Sequence, residues 1–347
     1  MAKLGDVCEI LDSKRIPITA SDRIAGPYPY YGANGVQDYV NDYIFDDELV
    51  LLAEDGGNFG SKEKPIAYRI SGKCWVNNHA HVLKPKPGLD VDYLCYSLMF
   101  YDVSSIVNGA TRQKLTQADM RKMEIPMRSM EEQIVIVAQL SKASHMVLLR
   151  KQELQTLDDL IKARFVEMFG EPVSNPKGWG VLPWERVFDT RTGKLDSNAS
   201  VEGGEYPFFT CAKEWLWIDK YAYDCEAILL AGNNAAGVYD VKHYKGKFNA
   251  YQRTYILHLK DKDWSYPLFK YQLEDRLQYL QSQSKGTNTR YLTMGILNSL
   301  DFIVPPKAMQ DAFALFVAQV DKSKAAVQKA LDEAQLLFDS LMQQYFG

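Results

Sequence analysis

The sequence has 347 residues, of which 46% are hydrophobic and 24% are charged, and this ordinary globular composition excludes a disordered, collagen-like or fibrous chain. The net charge is −4, from 40 basic and 44 acidic residues, which excludes a protein that coats nucleic acid through bulk positive charge. No run of about 18 apolar residues occurs, so the sequence predicts no membrane-spanning helix. The length favours two domains, because a single core stops growing at a smaller size.

The start of the chain lacks the apolar stretch and small residues of a secretory signal peptide. The five cysteines are odd in number and scattered along the chain: Cys8, Cys74, Cys95, Cys211 and Cys225. We therefore expect reduced thiols and a cytoplasmic protein.

The first predicted elements are short and lie in a region that extends to residue 130. This region is interrupted by Gly, Pro and Asn and is rich in Tyr, Val and Ile. Residues 48–52 form an apolar run bounded by turn residues, which predicts a strand. Residues 92–100 have the apolar spacing of a short helix. We assign residues 1–130 to a first globular domain.

A long helix is predicted next, because residues 131–169 contain neither Pro nor Gly. Apolar side chains recur there every seven residues: Leu140, Val147, Leu154, Ile161 and Met168. Such a heptad pattern is typical of a helix that pairs with another helix. Arg150 and Arg164 interrupt the companion positions of the pattern. Pro126 ends the preceding strand, and we assign residues 131–175 to the helix and the joint that follows it.

The second half of the chain repeats the first at an offset of 177 or 178 residues. The tetrapeptide YPYY at residues 28–31 returns as YPFF at 206–209, and LLA at 51–53 returns at 229–231. The segment GATRQKL at 109–115 returns as GTNTRYL at 286–292, and FG at 169–170 returns at 346–347. Four matches in the same order indicate a tandem duplication.

The repeated half contains the same kinds of element. Residues 255–259 predict a strand and residues 267–280 predict a helix, within a second globular domain at residues 176–306. A second long helix is predicted at residues 307–347. Its heptad series consists of Phe313, Val320, Val327, Ala334 and Leu341. The predicted fold is α+β, a duplicated mixed α/β domain in which each copy is followed by a long helix of about 55 Å and the two helices pair.

Motifs for catalysis and for cofactor binding are missing from the sequence. It has no GxxxxGK[ST] phosphate loop, no strand-borne GxGxxG and no GxSxG nucleophile motif. His79 and His81 would share one face of a strand near Cys74, but no fourth ligand has the spacing of a zinc site and the second copy lacks the pair. We therefore predict no catalytic residue, no metal site and no cofactor bound by the chain itself.

Polar loop residues are the candidates for ligand binding. Asn, Gln and Arg side chains read base edges in the major groove of DNA, and they cluster at matching places in both copies. The candidates in the first copy are Asn34, Gln37, Asn77, Asn78, His79, Thr111, Arg112, Gln113 and Lys114. The candidates in the second copy are Asn233, Asn234, Asn249, Gln252, Arg253, Thr287, Asn288, Thr289 and Arg290. Candidates for phosphate contacts are Lys62, Lys64, Arg69, Lys73, Lys242, Lys245 and Lys247. The plain alternative is that these segments are turns without a ligand, since Asn and Gly are also ordinary turn residues.

The motifs, taken in this order, resemble the DNA-specificity subunit of type I restriction-modification systems. The segment YPYYGANG at residues 28–35 is similar to that family's motif near the start of a target recognition domain. Residues 109–115 and 286–292 are similar to its motif near the end of that domain. Residues 125–134 and 304–310 resemble the family's transition into its conserved helices. The second copy departs from the pattern, since it carries Thr210-Cys211-Ala212 where the first has Gly32-Ala33-Asn34.

The resemblance implies an antiparallel coiled coil of the two long helices, with each globular domain reading one half of a bipartite target in double-stranded DNA. It implies a non-catalytic chain whose helices dock two methyltransferase subunits, which methylate adenine with S-adenosylmethionine. Restriction subunits would join this core and cleave DNA with ATP. Two alternatives stay open: a stand-alone DNA-modifying enzyme, and a coiled-coil scaffold that binds only protein.

Overall fold

Two long helices run through a computed structural model that describes residues 1–61, 63–109 and 113–347. The chain divides into unit 1, which is Met1–Lys151 with Lys329–Gly347, and unit 2, which is Gln152–Gln328. Each unit therefore holds one globular region and about half of each long helix. Among the described residues, no helix combines the length and the hydrophobicity that crossing a membrane requires.

Unit 1 contains two four-stranded sheets and one two-stranded sheet. Its strands are β1 (Ala2–Lys3), β2 (Cys8–Ile10), β3 (Ala25–Gly32), β4 (Gly35–Val40), β5 (Phe45–Asp46), β6 (Leu49–Ala53), β7 (Ala67–Ile70), β8 (Lys73–Val76), β9 (Ala80–Pro85) and β10 (Glu124–Ile125). Its helices are α1 (Leu4–Val7), α2 (Val91–Met99), α3 (Gln117–Met120) and the first half of α4 (Met130–Phe169). One four-stranded sheet has the antiparallel order β2-β9-β6-β7, and the other has the order β4-β3-β8-β5 with β3 and β8 parallel. In the two-stranded sheet, β1 pairs with β10.

Strand β6 is the buried centre of the first sheet and confirms the strand predicted at residues 48–52. Val50 and Leu52 belong to the core that includes α2. Leu49 and Leu51 point to the other face and belong to the core between the two sheets. The predicted run is apolar throughout because both faces of this strand are covered.

Unit 2 repeats the arrangement with a single larger sheet. Its strands are β11 (Gly180–Pro183), β12 (Phe188–Thr192), β13 (Tyr206–Phe209), β14 (Leu216–Ile218), β15 (Tyr223–Ala231), β16 (Asn233–Asn234), β17 (Val241–Ala250), β18 (Thr254–Leu259), β19 (Arg290–Tyr291) and β20 (Asp301–Val304). Its helices are α5 (Trp184–Val187), α6 (Tyr266–Asp275), α7 (Leu277–Gln283), α8 (Met294–Leu297) and the first half of α9 (Lys307–Phe346). The sheet order is β12-β18-β15-β17-β13-β14. The long strand β17 pairs with both β15 and β13, as the separate strands β7 and β8 pair with β6 and β3 in unit 1.

The helix predicted at residues 267–280 is two helices in the structure. α6 ends at Asp275 and α7 begins at Leu277, with Arg276 between them at φ −86° and ψ −2°. No Pro or Gly marks this break in the sequence. The prediction from apolar spacing therefore gave one helix where the structure has two.

Both long helices have 40 residues and begin and end within a residue of their predicted bounds. Most heptad side chains are buried, with α9 contributing Phe313, Val320, Val327 and Ala334. Arg164, which interrupts the pattern in α4, donates to Glu167 Oε2 at 2.7 Å while its guanidinium carbon lies 5.7 Å from the Phe316 ring centre. The guanidinium group therefore lies between an aromatic ring of α9 and a carboxylate of its own helix, and the side chain is only partly exposed.

The two helices pair in antiparallel fashion, as contacts within unit 2 show. Phe169 near the end of α4 packs edge-on against Phe313 near the start of α9, with ring centroids 5.5 Å apart. Further back along α4, Asp158 Oδ1 lies 2.6 Å from Lys324 Nζ, which is further forward along α9. Residue numbers thus fall along one helix as they rise along the other.

A buried glutamine ties each long helix to its globular region. Gln133 Oε1 accepts a hydrogen bond from the Asp90 amide at 2.8 Å, and its Nε2 donates to the Gly88 carbonyl at 2.9 Å. Gln310 Oε1 accepts from the Ser265 amide at 3.0 Å in unit 2. The duplication has kept this junction in both copies.

Candidate nucleic-acid interface

The segments before α3 and before α8 each contain a loop that backbone hydrogen bonds close at its base. Loop 1 spans residues 109–113, of which the structure describes Gly109 and Gln113, and loop 2 spans residues 286–290. Asn108 and Lys114 exchange two backbone hydrogen bonds, at 3.0 and 2.8 Å, across the base of loop 1. Lys285 and Tyr291 close loop 2 in the same way, at 3.1 and 2.8 Å. The sequence motif repeated at 109–115 and 286–292 therefore corresponds to one repeated structural element.

A glycine in the left-handed region begins both loops. The φ angle is 107° at Gly109 and 97° at Gly286, a conformation that costs other residues free energy. A Cβ on Gly286 would lie 2.2 Å from the Thr289 carbonyl oxygen. The backbone of the loop thus requires the glycine that the duplication repeats.

A buried leucine fixes loop 1 to the sheet of unit 1. The Leu115 amide donates to the Glu54 carbonyl at 2.7 Å, at the end of β6. The Leu115 carbonyl accepts from Nε2 of His81, on β9, at 2.9 Å.

Charged side chains surround this anchor. His81 Nδ1 lies 2.7 Å from Asp12 Oδ2. Glu54 forms two ion pairs: Oε2 lies 2.6 Å from Arg15 Nη1, and Oε1 lies 3.0 Å from Lys114 Nζ. Both ring nitrogens of His81 therefore lie within hydrogen-bond distance of an oxygen atom.

Two carboxylates of this cluster stay ionised although they are largely buried. Burial acts to raise the pKa of Asp12, but hydrogen bonds from His81 and neighbouring groups outweigh it and hold the pKa below its ordinary value. Burial also acts to raise the pKa of Glu54, and the hydrogen bonds from Arg15 and Lys114 bring that pKa below its ordinary value as well. The cluster is therefore a set of satisfied charges.

Asp12, Glu54 and His81 bring three potential metal-ligand atoms within 4.8 Å of one another. Both His81 nitrogens already have acceptors and Glu54 already has two cations, so a metal ion would have to displace Arg15 or Lys114. Cys74, considered with the histidines from the sequence, is outside this group and lies in the core between the sheets, where burial raises the pKa of its thiol to about 12. We propose no metal here.

Loop 2 has the same anchor with different chemistry. The Leu292 amide donates to the Gly232 carbonyl at 2.8 Å, just after β15. The Leu292 carbonyl accepts from the hydroxyl of Tyr255, on β18, at 3.0 Å. β16 pairs with β19, which places Asn233 opposite Tyr291 at the base of the loop.

Candidates of unit 1 meet at the ends of β6 and β8. Asn77 is only 3% exposed, and its Nδ2 donates to Gln37 Oε1 at 3.0 Å while its Oδ1 accepts from the His79 amide at 2.8 Å. His79 Nδ1 lies 2.6 Å from Asp55 Oδ1. The Asn77 side chain thus shapes these turns from inside the protein.

Four further candidates of unit 1 are exposed: Asn34, Asn78, Gln113 and Lys114. The Asn34 side chain donates to the Gly56 carbonyl at 2.9 Å, which joins the turn after β3 to the segment that follows β6. Thr111 and Arg112 lie outside the described residues, as does Lys62.

Candidates of unit 2 gather around loop 2 and the turn between β17 and β18. The exposed ones are Gln252, Arg253, Thr287, Asn288 and Thr289. Arg290 Nη1 donates to the Gln281 carbonyl at 3.2 Å, and the Asn234 side chain accepts from the Ala236 amide at 2.8 Å. Asn249 is buried and its Nδ2 donates to the Lys220 carbonyl at 2.9 Å, so it shapes the fold as Asn77 does.

Several predicted phosphate contacts are engaged in ion pairs. Arg69 is paired with Glu48 and lies 3.1 Å from Asp92 of α2. Lys245 Nζ lies 3.1 Å from Glu226, and Lys242 pairs with Asp240. Lys73 and Lys247 each lie 4.6 Å from the centre of a tyrosine ring.

Sequence reasoning missed the anchoring side chains, which are Asp12, Arg15, Glu54, Gln117 and Tyr255. A signal was available in the repeated leucine that ends each motif, since a buried residue beside polar loop residues indicates a fixed loop. The hydrogen-bond donors that anchor the two leucines could not be predicted from the repeat, because one copy has a histidine and the other has a tyrosine at that place.

Comparisons with known proteins agree with this duplicated architecture. The chain matches the type I restriction modification DNA specificity domain over residues 1–159 and again over 176–335. The type I restriction enzyme EcoDI specificity subunit of Escherichia coli is 34% identical over 160 residues, which cover 44% of this chain and 34% of that protein. The putative type I restriction enzyme specificity subunit S.HindORF215P of Haemophilus influenzae is 38% identical over 134 residues, which cover 39% of this chain and 34% of that protein.

The chain thus matches about a third of the length of each of these two relatives. The crystal structure of the S subunit of a type I restriction-modification system from M. genitalium has the same fold. It superposes with a TM-score of 0.65 at 14% identity, over 99% of this chain and 95% of that one.

Proposed function

Because the chain belongs to the family of type I restriction modification DNA specificity domains, we propose that it is the subunit that recognises the DNA target of a type I restriction-modification system. The observation that carries the proposal is the pair of loops, which share the hydrogen bonds at the base, a left-handed glycine and an anchoring leucine. Loop 1 ends in exposed Gln113, whereas loop 2 presents Thr287, Asn288 and Thr289. Equal scaffolds with unlike polar side chains suit a protein that reads two different half-sites.

In this proposal each unit reads one half of a bipartite target in double-stranded DNA. Exposed polar side chains at the loops and adjoining turns make the base contacts, and exposed lysines contact phosphates. The buried Asn77 and Asn249 hold the turns in shape rather than reach the bases. The net charge of −4 suits a subunit that closes around DNA together with partners.

We infer that the helix pair docks two methyltransferase subunits, which restriction subunits then join. Apolar side chains on the outside of α4 support this, with Ile134 57%, Val135 55% and Leu148 51% exposed. S-adenosylmethionine and ATP would bind to those partners and not to this chain, which is non-catalytic in this proposal. The complex would act in the cytoplasm, on the cell's own DNA and on incoming DNA.

Modified-base sequencing of DNA from cells with and without this chain tests the proposal. We expect a bipartite methylated motif that depends on both the chain and a methyltransferase subunit. Purified chain with S-adenosylmethionine alone should methylate nothing, and transfer by the chain alone would instead support the enzyme alternative. An unchanged methylation pattern, with no binding of DNA by the complex, would support the protein scaffold.

A further inference from the structure

His81 and Tyr255 occupy the same place in the two units. His81 lies opposite Leu52 where β9 pairs with β6. Tyr255 lies opposite Leu230 where β18 pairs with β15. Leu52 and Leu230 are the same residue of the repeated LLA segment, so strand pairing aligns two residues that differ in type.

Both side chains donate a hydrogen bond to an equivalent acceptor. The distances are 2.9 Å from His81 Nε2 to the Leu115 carbonyl and 3.0 Å from the Tyr255 hydroxyl to the Leu292 carbonyl. Each leucine directly follows the residue that closes its loop. Burial raises the pKa of Tyr255 above its ordinary value, so its hydroxyl keeps the proton that it donates.

Both acceptors belong to leucines that are fixed in the cores. Leu115 is fully buried in unit 1 and Leu292 is 4% exposed in unit 2. A side-chain donor from the next strand therefore locks a backbone carbonyl whose own side chain is already packed. Lys114 and Tyr291, which directly precede the two leucines and close the loops, are therefore held by this hydrogen bond.

We propose that His81 and Tyr255 are positioning residues, each of which holds the recognition loop of its own unit for one half of the DNA target. The inference rests on the proposed function, since it assigns a role in reading DNA to the two loops. A loop that is held before it meets DNA binds more tightly and more selectively than one that must be ordered on contact.

The anchor in unit 1 has additional support. Asp12 Oδ2 accepts from Gln117 Nε2 at 2.9 Å as well as from His81, and Asp12 Oδ1 accepts from the Val82 amide at 2.9 Å. The carboxylate thereby orients the imidazole from the side opposite Leu115. Tyr255 needs no such partner, because its ring packs in the core of unit 2 and its hydroxyl is its one polar group.

Hydrogen exchange of the full chain tests the anchoring itself. His81→Phe and Tyr255→Phe each remove the donor and keep an aromatic ring. We expect His81→Phe to speed exchange in the peptide that contains Leu115 about tenfold, as for the loss of one hydrogen bond, and to leave the Leu292 peptide unchanged. Tyr255→Phe should speed exchange in the Leu292 peptide and leave the Leu115 peptide unchanged. His81→Tyr should return exchange of the Leu115 peptide towards the parent rate.

Methylation of DNA by the chain assembled with its methyltransferase subunit tests the role in reading. The substrates are the intact target and targets altered by one base in either half. We expect His81→Phe to reduce discrimination roughly tenfold in one half only and Tyr255→Phe to do so in the other half only.

Parent-like exchange and discrimination in both variants would overturn the inference, as would equal loss in both halves for either variant. If His81→Phe does not fold, Tyr255→Phe still decides, because it removes a single hydroxyl. If the parent complex itself shows no sequence-specific methylation, the proposed function fails, and the exchange experiment still decides whether the two residues anchor the loops.

Discussion

Arg290 is the last residue of loop 2 and belongs to the repeated Gly/Thr motif, as Arg112 does in the first copy. We expect Arg290→Ala to weaken DNA binding by about 1–3 kcal/mol, the range for one strong contact to DNA. A binding titration at several salt concentrations distinguishes a contact to a base from a contact to a phosphate. Loss of a phosphate contact lowers the dependence of log affinity on log salt concentration by about one, on every DNA sequence. Lys322→Ala, which removes a charge from an exposed position on α9, is the control. Unchanged affinity for Arg290→Ala would remove loop 2 from the interface. Arg112 lies outside the described residues, and the same loss is expected for Arg112→Ala from the repeat.

Asp12 links the stability of unit 1 to pH. Its pKa is lower in the folded chain than its ordinary value, so its contribution is present above about pH 4 and is lost as the pH falls through the lower, folded value. Asp12→Ala should lower the free energy of unfolding by about 3 kcal/mol at neutral pH, because buried His81 loses its charged partner. Urea denaturation at a series of pH values measures this, with exposed Asp42→Ala as the control. A difference that persisted undiminished in strong acid would contradict the assignment.

The sequence predicted the positions of the two loops, but it did not predict the side chains that anchor them. Asn, Gly and Thr mark turns by their local chemistry, so loops 1 and 2 were visible in the repeat. The hydrogen bond from Gln117 to Asp12 joins residues 105 positions apart, and no local pattern encodes such a pair. The burial of Asn77 and Asn249 was hidden for the same reason.

At the scale of elements, Gln133 and Gln310 decide how each long helix begins. We expect Gln133→Ala and Gln310→Ala each to lower the free energy of unfolding by about 1–3 kcal/mol, because buried backbone groups lose their partners. Chemical denaturation measures the effect. Gln155→Ala is the matched control, since Gln155 is an exposed glutamine of α4 bonded to Asp159. A loss no greater than that of the control would show that the junction is held by packing alone.

The long helices should also set the distance between half-sites. One heptad inserted after Leu154 and one after Val327 keep the pattern in register and lengthen each helix by about 10 Å. At about 3.4 Å per base pair, the spacer of the methylated motif should grow by up to about three base pairs while both half-site sequences stay the same. Methylation mapping of the insertion variant measures this. A functional variant with an unchanged spacer would show that something other than the helices sets the distance.

The periodic elements were the ones that the sequence predicted well. The heptad series predicted two long paired helices, and the lack of Pro and Gly in residues 131–169 set the bounds of α4 to within one residue. The break at Arg276 was missed, since it depends on how α6 and α7 pack in unit 2 rather than on a Pro or Gly. Two-residue strands such as β16 and β19 carry no period at all, so their pairing at loop 2 appears only in the structure.

At the scale of the whole molecule, the duplication explains why one chain has two related but unlike units. The offset of the repeats predicted two copies. In each copy the structure shows an antiparallel partner for the strand that carries LLA, backbone hydrogen bonds at the base of the loop and a buried glutamine at the helix junction. The sequence did not predict that β7 and β8 of unit 1 correspond to the single strand β17 in unit 2. Such a difference alters the sheet, while the backbone hydrogen bonds at the base of the loop are present in both copies.

Exchange of residues 1–130 for those of a relative with a different target tests whether each unit reads its own half of the DNA target. The measurement is the methylated motif, mapped by modified-base sequencing in cells that contain the exchanged chain and its methyltransferase subunit. We expect one half of the motif to change to that of the relative while the other half is retained, because each unit carries its own loop and its own anchor. A motif in which both halves changed, or in which neither changed although methylation persisted, would contradict it.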